Sequence, residues 1–477
     1  MENEKKFVTE LTDINEDLSQ WYTDVITKAD LCDYGPVKGT MVIKPYGFEI
    51  WEHIKEYLDA EFKKVGSKNA YFPMFIPESF LKKEAKHVEG FAPEVAVVTY
   101  AGGQELAEKL IVRPTSETII GEMFSKWIKS YRDLPLIMNQ WCNVVRWEKT
   151  TRPFLRTSEF LWQEGHTVQP TEEAAVENTV KMLNVYVKMA KELLAIPVLS
   201  GRKTEREKFA GAVDTYGIEA IMRDGKCLQA GTSHYLGQNF AKAAEIKFLD
   251  KDGEWKYGYT TSWGVSTRLI GAVIMVHGDE RGIKLPPRVA PIQAVIIPIA
   301  QHKDGVLENN QLLAKKLEEA GIRTFLDDSN QSAGWKFNQW EMKGVPLRLE
   351  FGPRDIENGT VVAVRRDTHE KLVLPIDSIE KSVKELLDKI QQNMYDIAYK
   401  YVEHNSFDVN SVEEMVECIN KKQVAMAYHC GDEKCETELK NETGIQSRVI
   451  ICEAEEGKTC VRCGKKAKHK AYFAKQY

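Results

Sequence analysis

The chain has 477 residues, a formal net charge of −6, 43% hydrophobic and 29% charged residues, a profile that fits a globular protein of two to four domains. That charge excludes chain-wide basicity as a route to nucleic acid, so any RNA contact must rest on local patches. No apolar run reaches membrane-span length, and the charged residues 1–6 lack a signal-peptide core, so a cytoplasmic protein is expected.

Trp51, Ile54, Leu58 and Phe62 recur at helical spacing after Lys44-Pro45-Tyr46-Gly47, predicting a helix that ends near Gly66. Residues 70–77 read as extended, and residues 110–112 as a strand. Arg113-Pro114-Thr115-Ser116-Glu117 then precedes an apolar helix marked by Ile119, Ile120, Met123, Phe124 and Trp127. Thr115 or Ser116 could cap that helix while Glu117 complements its dipole. The same hydroxyl and carboxylate could instead receive a substrate ammonium. A run over 142–147 ends in Arg146-Trp147-Glu148. Residues 160–166 alternate, which puts Trp162, Glu164 and His166 on one strand face, either half-exposed sheet surface or the lining of a pocket for a small cation.

After Pro170, Thr171 is a predicted N-cap with Glu172 and Glu173 in the first turn, and Val176, Val180, Leu183, Val187 and Leu194 form the predicted apolar face. Gln229, Thr232 and His234 share a Gly-containing polar stretch, where an isolated histidine is more often structural than catalytic. Residues 246–249 read as a strand, and Gly264-Val265-Ser266-Thr267-Arg268 opens a helix over 269–276. The irregular order of strands and helices predicts an α+β fold, a largely antiparallel sheet flanked by helices. No P-loop or dinucleotide glycine motif is present.

Pro286-Pro287-Arg288 marks a boundary. Beyond it, strands over 292–299, 322–326, 346–351 and 360–364 are interleaved with helices over 307–320 and 335–342, predicting a compact α/β domain. A long amphipathic helix over 379–401 leads to a cysteine-rich end. Four residues lie between Cys430 and Cys435, two between Cys460 and Cys463, and 24 between the pairs. Two short-spaced thiolate pairs suit a tetrahedral structural Zn²⁺ with no position open to water. Buried thiols without metal are the alternative, and Cys452, His429 and His469 are nearby substitute ligands. Cys418 reads as core. Residues 458–477 carry seven Lys or Arg and no acid, either a solvated tail or an RNA contact.

Arg146 and Arg268 carry the chemical reading. A guanidinium offers a fixed fork of donors that matches phosphate oxygens, so two on different elements could grip one triphosphate at both ends. With their companion segments they resemble a class II aminoacyl-tRNA synthetase, and specifically the prolyl-tRNA synthetases of the form shared by archaea, eukaryotes and some bacteria. The helix and extended segment through Pro73 resemble motif 1, which builds the dimer interface in this class. Arg146-Trp147-Glu148 with residues 152–157 resembles motif 2 and its loop, and residues 264–268 resemble motif 3, with Ser266 where many members carry glycine. Arg113-Pro114-Thr115-Ser116-Glu117, Trp162-Gln163-Glu164-Gly165-His166 and Gly231-Thr232-Ser233-His234 are more specific to the prolyl enzymes.

The resemblance implies a class II catalytic domain (1–287), an α/β anticodon-binding domain (288–400) and a small zinc-binding α/β domain (401–477). It implies that Arg146 contacts the α-phosphate and Arg268 the γ-phosphate of ATP, with Glu148, Arg156, Thr157, Gln229, Thr232 and Ser266 completing the nucleotide site. Thr115, Glu117, Glu164 and His234 would position L-proline's ammonium and carboxylate, while Trp162 and His166 shape its ring pocket. Glu341 and Arg348 would read anticodon bases of tRNA(Pro), Mg²⁺ would accompany ATP, and Tyr477 would lie near the active site. The stretch between His166 and Gly264 leaves no room for an editing insertion. A threonyl enzyme would need an active-site zinc set, absent beside these motifs. A regulatory paralogue would be free to lose the arginines retained here.

Overall fold

Pro45 occupies the first turn of the helix Pro45–Lys64, where a missing N–H leaves no hydrogen bond unmade. This helix buries Ile50, Trp51, Ile54, Leu58 and Phe62, all on one face. Phe62 packs its ring 4.7 Å from Trp263 and 6.3 Å from Trp141, two strand residues of the sheet beneath. The computed structural model describes residues 11–85 and 95–477, so residues 1–6 lie outside it.

That sheet has seven strands, in the order Lys68–Asn69, Leu136–Val145, Glu159–Gln169, Tyr259–Ser266, Cys227–Gly237, Asp214–Ile221 and Val198–Arg202. Every pairing is antiparallel except the short edge pair Lys68–Asn69 with Leu136–Val145. The register opposes Trp162 to Ser266, Gly264 to Thr232, and Thr215 to His234. A Cβ on Gly165 would collide with the indole of its partner Trp263, so the ring can cross the strand there only over glycine. The helices Glu172–Glu192 and Arg268–His277 pack on the same sheet, the second with nearly all its side chains buried.

Several expectations need correction. Within residues 70–77 the sheet-paired strand is Phe75–Pro77, which joins Gln104–Val112 and Ala96–Ala101 in a three-stranded sheet. Thr171 caps the helix Glu172–Glu192 by accepting from the N–H of Ala174 at 3.2 Å. Its buried face, however, is Ala175, Asn178, Thr179, Met182, Leu183, Val185, Tyr186 and Met189, while Val176 and Val180 are exposed. Polar groups account for that rotation: Asn178 accepts from Thr261, and the carbonyl of Thr179 accepts from Ser233. At the helix Glu117–Trp127, Ser116 occupies the cap position without making a side-chain cap bond.

A second sheet follows in the order Thr324–Leu326, Ala294–Pro298, Leu347–Phe351, Thr360–Arg365 and Lys371–Pro375. Its first two pairings are parallel and the last two antiparallel. The helix Ile379–His404 leads to a four-stranded sheet in the order Ser406–Asp408, Val424–His429, His469–Ala474 and Gln446–Glu453. Both sheets are fastened to the first through buried charge. Arg366 forks onto Asp279, just beyond the helix Arg268–His277, at 2.6 and 2.8 Å. Arg448 binds Glu219 of the strand Asp214–Ile221 through its Nη2 at 2.9 Å to both carboxylate oxygens, and Lys203 pairs with the same Glu219. Among the described residues no helix is long and apolar enough to cross a membrane.

Candidate active site

Four central strands and the segment before the helix Glu117–Trp127 open onto one cavity of about 310 Å³. Eleven of the residues singled out in the sequence line it: Thr115, Glu117, Arg146, Trp162, Glu164, His166, Gln229, Thr232, His234, Ser266 and Arg268. Alternation along Glu159–Gln169 puts Trp162, Glu164 and His166 on this face, and the register brings Thr232, His234 and Ser266 beside them.

Both arginines are held by carbonyl oxygens. Arg146 donates from Nε to Pro114 O at 3.0 Å, with its guanidinium 5.3 Å from the Trp162 ring centroid and 5.5 Å from that of Phe160. Arg268 donates from Nε to Leu155 O at 2.9 Å and from Nη1 to Gln229 O at 3.3 Å. Neither forms an ion pair among the described residues. Burial, with Arg156 and Arg146 nearby, lowers the Arg268 pKa to about 10 against the opposing pull of Glu219 and Glu148. Burial also works against the charge of Arg146, partly offset by Glu117, Glu164 and Glu148.

The carboxylates divide the work. Glu164 is fully engaged by protein: Ser116 donates to it from N at 3.1 Å and from Oγ, Gln140 Nε2 donates at 3.0 Å, and His166 Nε2 lies 3.1 Å away. Burial pushes its pKa up, but His166, Ser116 and Gln140 outweigh burial and hold it low. Glu117 receives only the Thr115 hydroxyl among these partners and keeps acceptor capacity toward the cavity. Arg113 spans Phe72 O, Asn143 O and Asn143 Oδ1, tying the two segments that carry this corner.

His234 is neutral, its pKa lowered to about 3 by burial and by the neighbouring His166 and Lys203. Thr215 Oγ1 accepts from the N–H of Phe209 at 2.9 Å and lies 3.0 Å from His234 Nδ1. That contact fixes the orientation of the imidazole and leaves its Nε2 edge toward the cavity that His234 lines. Phe209 packs 4.8 Å from the imidazole. Phe209, Thr215 and Glu207 line the cavity although nothing in the sequence flagged them; residues 203–210 form turns with no hydrophobic period.

Three expected nucleotide ligands do not line the cavity. The Thr157 hydroxyl is buried and donates to Glu159 O at 2.7 Å. Glu148 and Arg156 lie on the loop outside, with Arg156 exposed and close enough to depress the Arg268 pKa. Tyr477 packs on this loop, accepting from Arg152 Nη1 at 2.7 Å, while its N–H donates to Cys227 O at 3.1 Å.

Two further expected sites lie elsewhere. Arg348 donates to Glu341 at 2.9 Å and Glu350 at 3.0 Å, stacked 4.0 Å from the Phe337 ring centroid. Glu341 and Arg348 line a narrow cleft with Trp340, Arg365 and Arg366. At the other end, the ligand atoms of His429, Cys430, Cys435 and Cys460 lie within 4.8 Å of one another. The Cys430–Cys463 and Cys435–Cys460 sulfur separations are 3.7 and 3.9 Å. Two sulfurs about 2.3 Å from one tetrahedral Zn²⁺ would be about 3.8 Å apart, which both separations match, although the mutually close set holds His429 where the sequence suggested Cys463. Burial raises the Cys460 pKa, but the neighbouring His429 and backbone N–H groups bring it down to about 5.

Comparison with known proteins agrees with this layout. The family described as "tRNA synthetase class II core domain (G, H, P, S and T)" matches residues 98–277, "Anticodon binding domain" matches 293–386, and "Prolyl-tRNA synthetase, C-terminal" matches 412–477. The chain is 57% identical over 477 residues to "Proline--tRNA ligase" of Alkaliphilus oremlandii and, over the same length, 57% identical to that of Acetoanaerobium sticklandii; each match covers 99% of both chains. It is 54% identical over 479 residues to the Clostridium botulinum (strain Loch Maree / Type A3) protein, covering 100% of both.

Proposed function

Since the chain belongs to the proline–tRNA ligase family of class II aminoacyl-tRNA synthetases, we propose that its cavity activates L-proline with ATP and transfers it to the 3′ end of tRNA(Pro). One observation carries the assignment of parts: two arginines held by carbonyl oxygens, outside any close ion pair among the described residues, share a cavity with an available carboxylate, Glu117, and the neutral imidazole of His234.

ATP arrives as its Mg²⁺ complex, with Arg146 toward the α-phosphate and Arg268 toward the γ-phosphate; Gln229, Thr232 and Ser266 line the nucleotide side, and Glu148 and Arg156 reach it from the loop. Proline's ammonium sits on Glu117 and Thr115, its carboxylate on the imidazole of His234, and its ring between Trp162 and His166. Glu164 acts by holding Ser116 and His166 in place, since its own oxygens are occupied. Thr157 supports the loop through Glu159. The proline carboxylate attacks the α-phosphorus and pyrophosphate leaves. That step needs in-line placement and charge neutralisation rather than a strong base. A ribose hydroxyl of tRNA(Pro) then attacks the prolyl carbonyl and releases AMP.

Glu341 and Arg348 are proposed to face anticodon bases, whose edges a mixed-charge cleft can read. Cys430, Cys435, Cys460 and Cys463 are proposed as ligands of a structural Zn²⁺, with His429 behind Cys460; the bound ion supplies a cross-link between chain segments and no chemistry. A homodimer is proposed on the exposed apolar side chains Tyr71, Phe75, Val97, Tyr100 and Trp127. The cytoplasm, where tRNA is charged, is its proposed compartment. An amino-acid panel in ATP–pyrophosphate exchange tests the reading: proline should dominate, and exchange driven equally by threonine or by no amino acid overturns it.

A further inference from the structure

Residues 203–209 leave the strand Val198–Arg202 and run along one wall of the cavity, to which they contribute Glu207 and Phe209. Locally the turn is tied at both ends. The carbonyl of Thr204 accepts the N–H groups of Glu207 at 3.1 Å and Lys208 at 3.0 Å, and Phe209 donates to Thr215.

Lys203 N–H also donates to Thr215 O at 2.7 Å and Phe209 stacks 6.3 Å from Phe240, while the Thr204 and Arg206 side chains are anchored in the C-terminal lobe. Thr204 Oγ1 donates to Glu436 Oε1 at 3.0 Å and lies 3.1 Å from Ser447 Oγ, and the Ser447 hydroxyl donates to the same carboxylate oxygen. Arg206 donates from Nε to Thr437 Oγ1 at 3.1 Å and pairs with Glu207. Glu436 and Thr437 follow Cys435 directly on the helix Glu433–Thr443. Thr204, Glu436 and Ser447 are 3%, 2% and 1% exposed, so water cannot replace a bond lost among them. One residue upstream, the buried Lys203–Glu219–Arg448 cluster fixes the same junction.

We infer that Glu436 is a positioning residue for the amino acid. Through Thr204 it fixes the turn that sets Glu207 in the cavity wall and Phe209 against His234. Glu436 thereby shapes the amino-acid end of the cavity, while the carbonyls of Pro114, Leu155 and Gln229 that hold the triphosphate end are outside its hydrogen bonds. This inference rests on the assignment of the cavity to proline.

The test compares the full-length wild type with Thr204→Val, Thr204→Ser and Glu436→Ala in ATP–pyrophosphate exchange, with bound zinc and melting temperature measured alongside. Thr204→Val and Glu436→Ala should raise the KM for proline about tenfold, equivalent to about 1.4 kcal/mol. The KM for ATP and kcat should stay within about twofold, a split that general damage to the site would not give. Thr204→Ser, which keeps the hydroxyl, should behave as the wild type, and zinc content in Thr204→Val should be unchanged. A proline KM unmoved in a folded Thr204→Val, or proline and ATP KM values rising together, overturns the inference. Absence of proline-dependent exchange in the wild type overturns the cavity assignment instead.

Discussion

Replacing Arg268 by alanine removes a guanidinium that spends two of its five N–H donors on the carbonyls of Leu155 and Gln229. Three donors and the full charge remain for a phosphate. No carboxylate pairs with it among the described residues, so its charge is not already neutralised by protein. Losing one preorganised donor set at a site of developing negative charge costs about 10²–10³ in kcat, or about 3–4 kcal/mol of transition-state stabilisation. Arg268→Ala should therefore depress proline-dependent ATP–pyrophosphate exchange by at least that factor. Arg268→Lys, which keeps charge but loses the fork, should fall between it and the wild type. The two orphaned carbonyls should lower stability by only about 1 kcal/mol each, so the variant should stay folded. Initial rates across a matrix of ATP and proline concentrations, with melting curves alongside, check both parts. A folded Arg268→Ala with exchange within about threefold of wild type refutes the argument that this arginine grips the triphosphate.

Other outcomes are expected. His277 is buried, lies 2.9 Å from the Leu194 carbonyl through Nε2, and has its pKa lowered by burial to about 4. Its contribution is present above pH 6.5 and is lost as pH falls toward 4, because the unfolded chain takes up the proton first. The loss at pH 5 should be about 2 kcal/mol, visible as a flatter pH dependence of urea midpoints in His277→Gln, and parallel wild-type and variant profiles would contradict it. Asp279→Asn leaves Arg366 and Lys284 without their carboxylate and should cost about 3–5 kcal/mol by urea denaturation, with the Asp279→Leu/Arg366→Met pair less damaging than either single change. Cys430→Ser should lower bound zinc below one per chain and reduce the melting temperature; full zinc occupancy in that variant removes Cys430 from the ligand set.

The parts legible in the sequence were those where one periodicity sets the environment. Trp51, Ile54, Leu58 and Phe62 form a helix face because nothing polar competes for it, and strand alternation alone delivers Trp162, Glu164 and His166 to one surface. The face of Glu172–Glu192 was misread because Asn178 and Thr179 are buried by hydrogen bonds, which a count of apolar residues does not register. Glu164 and Glu117 look alike in sequence, yet Gln140 and Ser116 saturate the first and leave the second available. Glu207 and Phe209 lie on an irregular turn with no period to read, held in part by a distant lobe, and Thr215 reaches the cavity only through the pairing of its strand with that of His234. The cysteine spacing was readable, whereas the proximity of His429 depended on the pairing of Val424–His429 with His469–Ala474.

The strand Tyr259–Ser266 lies between Glu159–Gln169 and Cys227–Gly237, and it is the last of the three to be synthesised. On a ribosome adding about 5–20 residues per second, Glu159–Gln169 waits roughly 5–20 s for this neighbour. During that interval it presents an open edge of unpaired N–H and C=O groups, the kind of surface that recruits strands from other chains. The nascent chain thus passes through a window of aggregation hazard that the finished enzyme no longer displays. Slowing elongation just before residue 259 should lengthen that window, and slowing it near the end of the chain, after Tyr259–Ser266 has left the ribosome, should not.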